Sequence, residues 1–309
     1  MKPPPRTDPE RLFTPFFDPI DATLFLPADA PSADISLHTK GQPLRFPLIL
    51  DPHASLIDHL RSADHTPASF RFGPFCDNLL GMNWILPDGR DVRIGERVVK
   101  STTGYDWFRF LLHTNNRFGR PSAFILRLRP DALHWIEAHF DGNPMAVRSL
   151  IPFLLQSGWM HWWDSVDLLL DGARTRCRVV VNCPSHESSL FTQELERVAN
   201  RTATHLALTY PDSPPMDGLP DFSIKTTADA APALAQQLTS TSVSTVVSTY
   251  CGTILGYSRS PDSIQELLAP LDHQIRSDGG HWSSRHLPSP PPSPAEQAWI
   301  QSITRTLDL

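Results

Sequence analysis

The sequence predicts an α+β fold built in two parts, and three observations predict it. Short apolar, β-prone runs separated by turn residues fill positions 17–130. A Pro87-Asp88-Gly89-Arg90 turn between two such runs marks a hairpin. Beyond residue 130, helical periodicities alternate with strand-length runs, the pattern of an antiparallel sheet with helices on one face. The expected division is a proline-rich tail over 1–16, a β-rich domain over 17–130, an α+β cap domain over 131–286, and a proline-rich linker with a terminal helix over 287–309.

In order, Ala22 to Pro27 (ATLFLP) reads as a strand after the Asp18-Pro19 turn. Asp34 to Lys40 reads as a short helix stopped by Gly41, and Leu44 to Leu50 as an edge strand, because Pro47 lies within it. Leu80 to Leu86 and Asp91 to Ile94 form the hairpin, with a short strand at Arg97 to Lys100. Trp107 to His113 has a helical apolar face, and Ala123 to Leu128 is a strand ended by Pro130. Asp131 to Phe140 and Met145 to Gln156 read as amphipathic helices. Val166 to Leu170 and Arg178 to Val181 are strands joined around Asp171-Gly172, Glu187 to Asn200 is a helix, and His205 to Thr209 returns as a strand. Ala228 to Leu238 is helical, and Ser242 to Tyr257 is β-prone with Gly252 and Gly256 as bends. Ser263 to Ser277 is a helix stopped by Gly279-Gly280, and His281 to Arg285 is a last strand.

Composition narrows the function. The chain has 309 residues, 40% hydrophobic, enough for a substantial core, and 33 acidic against 27 basic residues without basic runs, so nucleic acid and anionic membranes are poor partners. Cys76, Cys177, Cys183 and Cys251 form no CxxC pair, and the scattered histidines offer no metal-ligand spacing. Reduced, buried thiols and the lack of a signal-like or membrane-length apolar stretch lead us to expect a soluble, cytoplasmic protein.

The stretch Arg71 to Leu128 carries a more specific signal. Arg71, Gly73, Asp77, Leu80 and Gly81 are followed by Pro87-Asp88-Gly89, then by Lys100-Ser101 with Gly104-Tyr105-Asp106, then by Gly119. This order resembles R-Y-G-x-x-x-D-x-V-L-G, V-x-P-D-G, K-N-x-x-G-Y-D and S-x-G-x-x-G in the flavin-binding domain of the p-cresol methylhydroxylase / vanillyl-alcohol oxidase family, in its glycolate-oxidase-subunit branch. More loosely, Tyr250 to Ser283 and Trp299 to Leu309 resemble the cap and final helix of that branch. The resemblance implies an FAD-linked oxidoreductase acting on a small 2-hydroxy acid and passing electrons to a partner subunit. It implies flavin contacts from Lys100, Ser101, Gly104, Tyr105 and Asp106, from Arg71 and Gly73, and adenine or ribose contacts from Asn115, Asn116 and Gly119. Read without it, 100–106 is a turn orienting Tyr105, 115–119 a solvated loop, and Arg71 a surface ion-pair residue.

Departures from the family pattern raise a second expectation. Ile57-Asp58 and His65-Thr66 stand where the family has glycine pairs, and no GxG loop occurs in the chain. Side chains there obstruct close approach of backbone N–H groups to phosphate. The alternative is therefore a structural or regulatory subunit that keeps the fold, binds FAD weakly or not at all, and joins a complete flavoprotein subunit and an iron–sulfur subunit. Trp159, His161, Trp162, Trp163 and Asp164 form an aromatic patch that either lines a pocket, with His161 as a base, or anchors the cap on the first domain. Among the later histidines, His281 and His286 are either candidates for a catalytic role or, as lone histidines near strand ends usually are, structural.

Overall fold

The computed structural model describes residues 14–62, 69–95, 107–112, 118–212, 218–239, 243–248, 252–284, 286–287, 297–299 and 301–302. The first lobe begins with β1 (Phe16–Asp18) and β2 (Thr23–Pro27), joined by a turn in which Asp18 Oδ1 accepts the N–H groups of Ile20 and Asp21 at 3.0 and 3.1 Å. Helix α1 (Ala33–Thr39) follows, with Gly41 beyond it at φ +75°. The expected edge strand Leu44 to Leu50 is only β3 (Leu44–Arg45). Pro47 donates no N–H, so the pairing ends, and Phe46, Leu48, Ile49 and Leu50 enter the core as irregular chain instead.

Two short helices, α2 (Leu56–Ser62) and α3 (Ser69–Phe72), lead to the hairpin of β4 (Leu79–Ile85) and β5 (Asp91–Gly95). Its turn is closed by Leu86 N donating to Arg90 O at 2.8 Å, and Gly89 takes φ +87°. Helix α4 (Trp107–Leu112), β6 (Arg120–Arg127) and β7 (Arg129–Pro130) complete this part. The five-stranded sheet runs β1-β2-β6-β4-β5, and β3 pairs separately with β7. Leu24, Leu26, Met82, Trp84, Phe124 and Leu126 alternate inward from three strands to form its core, with Phe75 against them. Each such side chain contributes about 2 kcal/mol by leaving water.

The second lobe holds β8 (His134–Asp141), α5 (Pro144–Gln156), β9 (Trp163–Asp171), β10 (Arg174–Cys183), α6 (Ser188–Thr202), β11 (His205–Thr209), β12 (Phe222–Lys225), α7 (Ala231–Leu238), β13 (Val243–Ser248), β14 (Thr253–Ser258), α8 (Ile264–Leu268), α9 (Asp272–Ser277) and β15 (His281–Ser284). Its eight strands run β11-β8-β10-β9-β13-β14-β12-β15, each antiparallel to its neighbours. Asp131 to Phe140, expected as a helix, is the strand β8. Ile136, Ala138 and Phe140 are fully buried under the helices while Trp135, Glu137 and His139 take the opposite face, which is the alternation of a strand. The expected continuous helix Ser263 to Ser277 is broken into α8 and α9 around Pro270, and Ser242 to Tyr257 is a hairpin turned at Gly252, φ +66°.

The helices and the inward residues of this sheet make one core around Trp163, Phe140, Phe191 and Phe222. The two lobes share side chains. Trp135 and Val180, from the sheet face away from the helices, complete the first core, while Phe70 of α3 enters the second. Helix α3 packs on β9, so the chain around Arg71 is the joint between the sheets.

Candidate functional site

The register of the second sheet places one residue from each strand in a row on the face away from the helices. From β11 to β15 it reads Ala207, His139, Arg178, Asp167, Ser248, Thr253, Lys225, His281. The row lies four residues beyond Trp135 along β8 and two from Val180 along β10, on the face that meets the first lobe. His139 and Glu137 sit two apart on β8, and His139 Nε2 lies 3.1 Å from Glu137 Oε1. That hydrogen bond holds the Glu137 carboxyl below the usual range against the opposing effect of burial, with His139, Arg178 and Thr209 adding to it. A carboxylate receiving the Nε2 proton fixes the imidazole tautomer and leaves Nδ1 as a base. His139 Nδ1 is shielded from solvent and has no partner, as is Ser165 Oγ one register step away.

Arg178 and Asp167 form an ion pair at 3.4 Å, with side chains 5% and 0% exposed. Buried ion pairs are weak stabilisers because desolvation offsets attraction. Next to the row, Val246 and Leu255 pack with Leu169 and Tyr257 into a small apolar patch on the same face. Among the described residues no three His, Cys, Asp or Glu side chains converge as a metal site.

The second constellation is the seam between the lobes. Asp164 is 0% exposed, and its Oδ1 accepts hydrogen bonds from Arg45 Nη2 and Arg71 Nη1, both at 3.1 Å. Its Oδ2 accepts the backbone N–H of Asn182 at 2.6 Å. Burial raises the Asp164 pKa, opposed by the two guanidiniums and the Asn182 N–H. The Arg45 guanidinium lies 4.7 Å from the Trp135 ring centre, and that of Arg71 4.9 Å from Phe72 and 5.9 Å from Trp162. Two cations from the first lobe are thus fixed by one carboxylate of the second.

The sequence-derived candidates divide. Arg71 is at this seam, bonded to Asp164. Gly73 takes φ +76° directly after α3, and a β-carbon on it would meet the Asp77 carboxylate at 2.8 Å. Gly119 takes φ +113°, and a β-carbon there would lie 2.1 Å from the Ile85 carbonyl oxygen. Both glycines therefore face their own chain at close range. Lys100, Ser101, Gly104, Tyr105, Asp106, Asn115 and Asn116, with the strand expected at Arg97 to Lys100, lie outside the described residues. In the aromatic patch, Trp163 is core, Trp159 and Trp162 pack edge-on against Phe191, and His161 is exposed. Of the later histidines His281 joins the row, whereas His286 bonds Asp221 at 2.8 Å. The sequence reading missed Glu137, His139, Asp167 and Arg178. The alternation Trp-Ile-Glu-Ala-His-Phe over 135–140 was the signal for the first two.

The segment where family glycines were expected is closed upon itself. Leu56 N and Ile57 N donate to Ala30 O and Ala28 O at 3.0 and 2.8 Å, and Asp58 N and His59 N both donate to Ser55 O at 3.1 Å. Ser55 Oγ caps Asp58 N at 3.2 Å and donates to Asp58 Oδ2 at 2.5 Å.

No family model matches the chain. Over 95 residues it is 30% identical to "D-lactate dehydrogenase [cytochrome], mitochondrial" of Arabidopsis thaliana, a match covering 31% of this chain and 17% of that relative. Its backbone superposes on the xylooligosaccharide oxidase of Myceliophthora thermophila C1, solved with xylobiose, with a TM-score of 0.65 over 90% of this chain and 71% of the oxidase, at 12% identity. The α+β fold predicted from the sequence is the fold of that oxidase.

Proposed function

We propose that the protein is an FAD-linked oxidoreductase that takes a small 2-hydroxy acid against the polar row of its second sheet. The row itself is the observation that carries this reading. In this reading His139, which bonds Glu137, takes the hydroxyl proton. Arg178, which pairs with Asp167, binds the carboxylate, and the patch around Val246 and Leu255 meets the hydrocarbon part. The relationship to a lactate dehydrogenase and the shared fold of a sugar oxidase support the same class. When bound, FAD supplies the acceptor for the hydride leaving the substrate's α-carbon. Cationic guanidiniums laid on aromatic faces at the seam suit a ring system that gains negative charge on reduction. Residues Arg71 and Gly73, the loop Lys100 to Asp106, and Asn115, Asn116 and Gly119 would hold it. A glycolate-oxidase-like place as one subunit of an electron-transferring complex in the cytoplasm belongs to the same proposal.

One observation favours the non-catalytic reading. The N–H groups of 56–59 are spent inside the protein, so this segment offers none to a phosphate. In that case the partners are a complete flavoprotein subunit and an iron–sulfur subunit.

The test is uptake of FAD by the purified chain, read as a visible flavin spectrum after free FAD is removed. The proposal expects uptake by the wild type, loss of uptake in Gly104→Trp, and unchanged uptake in His139→Gln with oxidation of the hydroxy acid slowed about 10²–10⁴-fold. A chain that stays colourless with excess FAD rejects the enzyme reading and leaves the subunit reading.

A further inference from the structure

The seam holds more positive charge than its own carboxylates balance. Arg45 and Arg71 share the single buried carboxylate of Asp164. Strand β3 pairs with β7 in a register that sets Arg45 directly opposite Arg129. Like charges at opposed positions of an antiparallel pair repel, which destabilises the pairing. Among the described residues, the Arg129 side chain makes no hydrogen bond or ion pair, and its Nε is shielded from solvent, as is Nε of Arg45. Burial depresses the Arg129 pKa, and the nearby charges of Arg127 and then Arg71 depress it further. A second carboxylate, Asp131, accepts from Asn182 Nδ2 at 3.1 Å and Leu133 N at 2.9 Å through Oδ1; these donors are neutral, so its charge remains and the balance is three guanidiniums against two carboxylates. Arg45 and Arg71 divide one carboxylate between them, and Arg129 adds a third guanidinium that has no carboxylate of its own among the described residues.

We infer that Arg45, Arg71 and Arg129 form a binding site for a small oxyanion, a phosphate or a carboxylate, at the junction of the two sheets. Planar guanidinium forks match two-oxygen groups, and two of the three are already fixed by Asp164 and by aromatic faces, so little ordering remains on binding. The anion supplies counter-charge beside the opposed Arg45 and Arg129 of β3 and β7. The same chemistry is presented by the phosphate of a nucleotide cofactor and by the carboxylate of a free acid. The inference stands apart from the flavin reading, because the charge surplus exists whichever of these arrives.

Thermal unfolding of the purified full chain tests it, at constant ionic strength, with chloride exchanged for inorganic phosphate or for D-lactate, and separately with FAD. At about 100 times its dissociation constant a bound anion raises Tm by roughly 3–5 °C in a chain of this size. Arg129→Gln is expected to lose that response and, by relieving the crowding of charge, to melt higher than wild type in chloride. Arg129→Lys keeps the charge without the planar fork and is expected to retain a reduced shift, which keeps the test available if Arg129→Gln does not fold. A shift with phosphate and FAD but not D-lactate supports the site and assigns it to a cofactor phosphate, and a shift with D-lactate assigns it to a carboxylic acid. Equal Tm in chloride, phosphate and D-lactate overturns the inference even if FAD stabilises, as does a full shift surviving in either variant. None of these measurements reads flavin colour or turnover, so their failure and the failure of the oxidoreductase reading are separable.

Discussion

At Gly119, expected from the sequence to contact a cofactor, the structure shows a backbone constraint. Its φ of +113° disfavours any side chain, and the β-carbon of an alanine would fall 2.1 Å from Ile85 O and 2.6 Å from the Trp84 indole nitrogen, which already donates to Phe118 O at 2.7 Å. Gly119→Ala is therefore predicted to destabilise the apo protein by about 2–4 kcal/mol in denaturant unfolding, with no cofactor present. A neutral substitution would contradict this. His59 makes a second case. Only 3% exposed, it packs against Phe75 and keeps its ring nitrogen 3.1 Å from Asp51 O. Burial is the main cause of its lowered pKa, partly offset by the Asp51 hydrogen bond and the charges of Asp51 and Asp58. The folded value lies below the unfolded one, so the stability from a neutral His59 is complete above about pH 6.5 and is lost as pH falls toward the folded value. His59→Gln should flatten the slope of unfolding free energy against pH below about pH 6.5. An unchanged slope in that window would show that other groups set it.

Among the elements, the hairpin β4–β5 was legible because Pro87-Asp88-Gly89 is a local turn signal, and α5 because Asn143 caps it at Met145 N and Pro144 begins it. Strand β8 was not. In Trp135 to Phe140 helical and strand periods both place apolar residues on one side, and only pairing with β10 and β11 settles the choice. With β8 misread, Glu137 and His139 could not be seen on a shared face, and the row across eight strands, which exists only through register, was beyond reach. Helix α2 was missed for a different reason: its start is local, with Ser55 and Asp58 bonding each other three residues apart, a capping spacing that the sequence does display. Ser55→Ala is predicted to cost about 1 kcal/mol, measurable as a lower urea midpoint. No change in midpoint would mean that the backbone bonds to Ala28 and Ala30 alone fix this turn.

At the scale of the whole molecule, two parts were expected from local patterns, while their union rests on long-range contacts that no local pattern encodes. Asp164 was noted only as the end of an aromatic patch, yet it lies across the chain from Arg45 and Arg71 and ties the lobes together. Asp164→Ala leaves two guanidiniums at the seam without their carboxylate and is predicted to cost about 3–5 kcal/mol of global stability. The row of the second sheet is the larger claim, because it turns a shared fold into a site that can act on a substrate. Its direct test is anaerobic mixing of the FAD-loaded chain with D-lactate or glycolate, following loss of the flavin's visible absorbance. The account predicts bleaching in the wild type and its loss in Arg178→Gln with flavin still bound; an FAD-loaded wild type that keeps its full colour with both acids would contradict it.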